Sequence, residues 1–298
     1  MSESEFYRHK QGATFTEIYS ASDDGDERIV HRQFRDQAAY DHWHLALYFK
    51  EILSYRRFFD GEPVTLDDIP RKEKNLMLYL VLAAAPRFRS VLEMGSALFE
   101  MIDGLKVVGR YLARQEMAVP KVKLNELSYI GVELSELMAE ASKVLHPQNQ
   151  MTVVRSPADA PTTFDVLYDQ SVTNYAFDSS TEFAELVNRA EVAFLNTYFS
   201  KEQTFRSGRL GKSLTYFSLA EVISKLDKPL FHLFGEQAPG PLVGPPLNKG
   251  RPAVEGYFLC AEPEYANVFI DTARASSEIA KYFDHKLVRL SPAEDLLP

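Results

Sequence analysis

The sequence predicts an α/β fold: a mainly parallel, seven-stranded sheet with helices on both faces, preceded by a helical N-terminal cap. Three observations lead there. From about residue 87 onward, short apolar runs alternate with stretches of helical periodicity, and that alternation implies parallel strands linked by helices. The runs are continuously apolar, as expected for strands covered on both faces. The first 86 residues show helical spacing instead. The expected division is a cap over 1–86 and an α/β domain over 87–298.

Along the cap, Trp43, Leu47, Phe49, Leu53 and Phe58 recur at helical spacing between Tyr40 and Phe59, and "DGEP" at Asp60–Pro63 is expected to stop that helix. Thr65 with Asp68 has the form of a capping box. A further helix is predicted over Lys72–Ala85, ended by Pro86. The strands of the α/β region are predicted at Ser90–Met94, Tyr129–Glu133, Met151–Val154, Phe164–Tyr168, Val192–Thr197, Leu230–Phe234 and Gly256–Glu262, with helices over Ser135–Leu145 and Thr181–Ala190. Two segments read as irregular. They are the polar loop Phe199–Ser213 and the Pro/Gly-rich Gly235–Pro252, which is expected to be either a lid or wall beside a site or a surface linker that does not touch it.

Bulk properties narrow the function. The net charge is -9, and the chain lacks the Lys/Arg block that releases counterions from a duplex; nucleic acid is not an expected partner. The short cluster Arg71-Lys72-Glu73-Lys74 reads as a solvated helix start. The single cysteine, Cys260, excludes an intramolecular disulfide and sits in a strand pattern, where Cys packs as a small hydrophobe. The polar N-terminus has no apolar run of signal-peptide type. The longest apolar run, "LMLYLVLAAAP", is about half a membrane span. The expected location is the cytoplasm.

In an open parallel sheet, ligands bind beyond the carboxyl ends of the strands where the strand order reverses. The residues there are Glu93, Gly95 and Ser96 after strand one, Glu133 after strand two, Asp159 and Ala160 after strand three, and Asp169 and Gln170 at the end of strand four. This ordered set, "VLEMGS", "YIGVELSELMAEA" and "FDVLYDQSV", resembles the class I S-adenosylmethionine-dependent methyltransferases over roughly Arg87–Phe199, and so implies a Rossmann-like sheet. The resemblance implies S-adenosylmethionine as cofactor. It implies that Gly95 lets the backbone approach the methionine part, with Ser96 beside it, and that Glu93 orders the amino group or the loop. It further implies that Glu133 binds the ribose, that Asp159 and Ala160 lie near the adenine, and that Asp169 and Gln170 face the methyl-transfer site. Where such loops carry further glycines, this one has Ala97, Leu98 and Phe99. The separation of Glu93 from Glu133 exceeds the about 20 residues of the usual unit; the excess reads as an inserted helix around Leu98–Gln115 and Pro120–Leu127. A sulfonium carries no phosphate, so it needs no glycine cradle of the dinucleotide kind.

Methyl transfer is an in-line displacement that often needs a base. His44 and His232 are the candidate bases, with Asp169 as a third catalytic candidate. Asp41, His42 and His44 lack strong ligands at i and i+4, and no metal site is expected. "GRLGKS" lacks phosphate-loop spacing. The reading is methylation of a small molecule, a sugar or natural-product intermediate, at oxygen or nitrogen. A homodimer is compatible with the sequence. Two alternatives stay open: other chemistry with the same cofactor, and a non-catalytic scaffold on this fold.

Overall fold

The computed structural model describes residues 7–13, 15–20, 28–59, 65–170, 172–209, 212–234, 253–274, 279 and 288–289. Three strands come first, β1 (Tyr7–Gln11), β2 (Phe15–Ser20) and β3 (Arg28–Phe34), paired as an antiparallel sheet. This sheet is an addition to the helical region that periodicity predicts. Its first two strands, "YRHKQ" and "FTEIYS", are mostly polar and lack the apolar run that marks a buried strand.

Helix α1 (Gln37–Arg57) begins where Asp36 Oδ1 accepts the Ala39 N–H at 2.8 Å. The stop expected at Asp60–Pro63 lies outside the described residues. Ala39, Ile52 and Tyr55 are buried, whereas Leu47, Phe49 and Leu53 are 41%, 42% and 47% exposed. The stripe through Leu47, Phe49 and Leu53 is therefore not the packing face. The apolar residues of α1 are spread around it, and its neighbours decide which of them are covered. The Thr65–Asp68 capping box is present. Helix α2 (Lys72–Ala84) stops before Pro86 and is buried from Asn75 to Ala83, so the longest apolar run is a core helix. Among the described residues no helix is long and apolar enough to cross a membrane.

The main sheet begins with β4 (Ser90–Met94), followed by α3 (Glu100–Arg114), β5 (Ser128–Val132), α4 (Glu136–Leu145) and β6 (Gln150–Val154). The chain then crosses back to β7 (Phe164–Gln170), α5 (Thr173–Ala176), α6 (Ser180–Asn188) and β8 (Ala190–Ser200). A hairpin, β9 (Phe205–Arg209) and β10 (Lys212–Ser218), precedes α7 (Leu219–Lys225), β11 (Leu230–Phe234), β12 (Ala253–Cys260), α8 (Pro263–Arg274) and β13 (Val288–Arg289). The order across the sheet is β6-β5-β4-β7-β8-β12-β11-β13. The first five strands are mutually parallel, and β12 is antiparallel to both its neighbours. All seven expected strands are present, within a few residues at their ends. The sheet also carries β13 at its edge and β10 beside β8, so the polar segment expected as a loop at Phe199–Ser213 contains most of a hairpin. Gly235–Pro252 lies outside the described residues.

Alternation along β4 sorts the two cores. Val91 joins the cluster of α2, α3 and α8, while Leu92 and Met94 join that of α6 and α7. Cys260 is fully buried in the second cluster, and burial pushes its thiol up to about 12. The chain winds outward through β4, β5 and β6, then returns to the other side of β4 with β7. The reversal leaves a crevice between β4 and β7 at their carboxyl ends.

Candidate functional site

Beyond Met94 the chain turns through Gly95, whose φ is +66°. A Cβ there would lie 2.6 Å from Val172 Cγ2. The Gly95 and Ser96 N–H groups both donate to the Val132 carbonyl, at 2.9 and 3.3 Å. Ala97 and Phe99 are also left-handed, at φ 45° and 53°. The segment thus takes a glycine-loop path with side chains at its second and third left-handed positions, a conformation that costs a non-glycine residue about 1–2 kcal/mol. Burial offsets that cost, because Ala97 and Phe99 are 4% and 0% exposed.

The loop is tied to the next strand by Glu133. Its Oε2 accepts the Ala97 N–H at 2.9 Å and its Oε1 the Ser135 N–H at 2.7 Å. Ser135 caps α4 in turn, its hydroxyl oxygen accepting the Met138 N–H at 3.3 Å. Burial raises the Glu133 carboxyl, and these backbone donors oppose the shift. A carboxylate has about four lone-pair sites, so Glu133 keeps acceptor capacity for a ligand. It lines a cavity of about 600 Å³, within the range typical of small-molecule sites.

The cavity opens at the strand reversal. Gly95, Val132, Glu133 and Val172 form its floor; Tyr40 and Tyr48 come from α1, Tyr175 from α5, Arg155 and Pro157 from beyond β6, and Arg206 from β9. Tyr40, Tyr48 and Tyr175 all have their hydroxyls raised by burial, so they stay neutral donors near neutral pH.

Glu93 lies beneath the loop, 1% exposed, with no hydrogen-bond partner on Oε2. Burial and the nearby Glu100 carboxyl hold it well above the usual carboxylate range, with Arg71 opposing. Glu100 is pushed up by burial to about 7, again against Arg71, whose Nη1 is 3.4 Å away. The native protein therefore holds a proton on Glu100 that the unfolded chain gives up near pH 4.5. That contribution to stability is present below about pH 4.5 and lost as pH rises towards about 7. Glu100→Gln is expected to flatten the stability profile across this window; urea unfolding of both proteins at a series of pH values checks it, and parallel profiles would contradict it.

The remaining expected residues fall in different places. Ser96 is buried against β5, and Gln170 stands at the end of β7. Asp169 is buried and committed to α5: it accepts the Val172 and Thr173 N–H groups at 3.0 and 3.1 Å and the Thr173 hydroxyl as well. Burial raises its carboxyl to about 6. Asp159 is exposed in a short turn, and Ala160 packs in the α6 core; the cavity is lined by their neighbours Arg155 and Pro157. His44 lies against Tyr40 with ring centroids 3.8 Å apart and the planes tilted by 37°, and its Nδ1 is 2.9 Å from the Tyr40 carbonyl oxygen, so it backs a cavity residue without lining the cavity. His232 stands on β11 against Phe258, four strands from β4. Among the described residues, no group of three or more His, Cys, Asp or Glu side chains could hold a metal ion.

No protein-family model and no curated protein matches the chain. The chain is similar to several solved structures, each at a TM-score below 0.5. One is the N-terminal domain of EvdMO1 with S-adenosylhomocysteine bound, at 9% identity and a TM-score of 0.43, covering 65% of this chain and 82% of that one. A second is DesVI of Streptomyces venezuelae, at 15% identity and a TM-score of 0.38, covering 76% and 98%. A third is CalS10 of Micromonospora echinaspora, an amino pentose methyltransferase with bound cofactor, at 13% identity and a TM-score of 0.38, covering 69% and 94%.

Gly95→Val is expected to weaken cofactor binding at least tenfold and to cost about 2 kcal/mol in stability, because a Cβ in this backbone is strained and meets Val172. Calorimetry with S-adenosylhomocysteine, beside urea unfolding, separates the two effects. Full affinity in this variant would place the loop elsewhere than against the ligand.

Proposed function

We propose that this chain is an S-adenosylmethionine-dependent methyltransferase acting on a small molecule such as a sugar or natural-product intermediate, at oxygen or nitrogen. One observation carries the reading: Glu133, at the end of the second strand, is held by backbone N–H groups over the Gly95 loop while lining a cavity of about 600 Å³ at the strand reversal. The residues present suit the cofactor. Glu133 has acceptor capacity for ribose hydroxyls, and Glu93, two residues before Gly95, has an unpartnered Oε2 whose ionisation a cationic amino group would favour against the burial that raises its pKa. Arg155 and Pro157 border the end of the cavity where adenine is assigned.

When bound, S-adenosylmethionine supplies a methyl group on an electrophilic sulfonium. The chain's own contribution is then binding and alignment. Glu133 and the Gly95 loop fix one end of the cavity, and Tyr40, Tyr48 and Tyr175 close the acceptor side. As neutral hydroxyls they hold and orient an acceptor, a role worth several orders of magnitude in effective concentration. Asp169 fixes α5, and so places Tyr175, rather than taking a proton.

The test is binding followed by product mass. S-adenosylhomocysteine at about a hundredfold above its Kd is expected to stabilise the protein by roughly 2.7 kcal/mol. A small-molecule acceptor should gain the mass of one methyl in place of hydrogen. Absence of any stabilisation leaves the non-catalytic scaffold; binding with a different mass gain means other chemistry with the same cofactor.

A further inference from the structure

The loop between β4 and α3 has a second anchor, which comes from the far end of α4. His146 caps that helix, its N–H donating to the Ser142 carbonyl at 3.0 Å. Its side chain is buried, and Nε2 lies 3.0 Å from the carbonyl oxygen of Leu98, 48 residues away in sequence. A carbonyl only accepts, so Nε2 carries the hydrogen. Burial holds the imidazole below its usual range against the Asp103 carboxyl, and Lys106 and Arg56 add to the effect. The ring is therefore neutral near neutral pH, with its one hydrogen on Nε2. Arg56 of α1 closes the same junction. Its Nη2 donates to the Leu145 carbonyl at 3.2 Å, and its Nε stands 3.7 Å from the buried Asp103 carboxylate of α3.

Leu98 stands between the two left-handed residues of the loop, Ala97 at φ 45° and Phe99 at φ 53°. Its carbonyl belongs to the peptide that leads into Phe99, so a bond there fixes that peptide's plane. Glu133 fixes the N–H of Ala97 at 2.9 Å. Glycine would adopt this path without steric cost, whereas Ala97 and Phe99 gain from anchors outside the loop. The two anchors lie at opposite ends of α4, with Glu133 ahead of its first turn and His146 at its cap. We infer that His146 is a positioning residue of this loop. By donating to the Leu98 carbonyl it keeps the path through Ala97 and Phe99, and with it the placement of Ala97 and Glu133 on the cavity wall. Its effect on ligand binding rests on the proposed cofactor reading; its hold on the loop does not.

The experiment compares the wild type with His146→Gln, whose side-chain amide can offer a hydrogen from a similar position, and His146→Leu, which fills the space without a donor. Nitrogen NMR of the wild-type imidazole should show the hydrogen on Nε2, and a hydrogen on Nδ1 instead would overturn the bond. Hydrogen exchange reads the loop, where the Ala97 and Phe99 N–H groups donate to Glu133 and to the Ser96 carbonyl. In His146→Leu these two amides should exchange about tenfold faster relative to Ile130 in β5, the effect of losing one buried hydrogen bond, and His146→Gln should restore most of the protection. S-adenosylhomocysteine affinity by calorimetry on the folded proteins should fall about tenfold in His146→Leu and stay within about twofold in His146→Gln. A role in stability alone gives another pattern: exchange rises equally in the loop and in β5, and the folded protein binds as before. That pattern overturns the inference, as does a His146→Gln protein no better than His146→Leu in exchange. If His146→Leu does not fold, His146→Met, also without a donor, takes its place. If the wild type binds no S-adenosylhomocysteine, the cofactor reading fails, and the site of the imidazole hydrogen and the exchange pattern decide the positioning role by the same outcomes.

Discussion

Glu133→Ala is expected to weaken S-adenosylhomocysteine binding by roughly 2–3 kcal/mol, the cost of losing a charged acceptor for two hydroxyls. The carboxylate has two tasks, and the variant removes both. It offers lone pairs to the cavity, and it also holds the Ala97 and Ser135 N–H groups at 2.9 and 2.7 Å. Glu133→Gln separates them, since its one carbonyl oxygen can keep a single backbone donor while the charge is gone. Calorimetry should rank the three proteins wild type, Gln, Ala. Unchanged affinity in Glu133→Ala would remove the observation on which the cofactor assignment stands.

The second large effect is on folding. Gly131, one residue before the end of β5, is expected to tolerate no side chain. A Cβ there would lie 2.2 Å from Ser96 Oγ and 2.5 Å from Phe99 Cζ, atoms of the loop folded across the strand. Gly131→Val is expected to cost about 3 kcal/mol or more, at the upper end of overpacking penalties, and to displace the loop from Glu133. Urea unfolding reads the first effect and S-adenosylhomocysteine affinity the second. Near-native stability and affinity together would mean that Ser96 and Phe99 do not pack on β5. The sequence signal was available: a glycine inside an otherwise apolar strand marks close approach of another segment.

These two residues, with Glu93 and Gly95, also show what was legible beforehand. The seven strands and the acidic residues at their ends are written locally, because strand periodicity, helix caps and turn glycines act over a few residues. Of the insertion between the first two strands, the Leu98–Gln115 part could be read in the same way and appears as α3, whereas Pro120–Leu127 holds only the single turn Leu124–Glu126. The loop's left-handed turns at Ala97 and Phe99 could not be, since neither residue type favours that backbone by itself. They persist because burial of both side chains outweighs the local cost.

The sequence by itself determined the alternation of strand and helix, seven of the strands of the main sheet, and the glycine and acid at the strand reversal. Only the tertiary structure decided which side chains meet there. The Arg71–Lys74 cluster reads as solvent-facing in one dimension, yet two of its members turn inward to Gln170, about a hundred residues away. Asp169 reads as a catalytic candidate at a strand end, and only the fold shows that it accepts the Val172 and Thr173 N–H groups at the start of α5. Tyr40 and Tyr48 lie on a helix whose apolar residues are spread around it, and their place in the cavity follows from how α1 docks on α3 and α4. Local patterns specify elements, but the phase of a helix against its neighbours is set by burial summed over contacts distant in sequence.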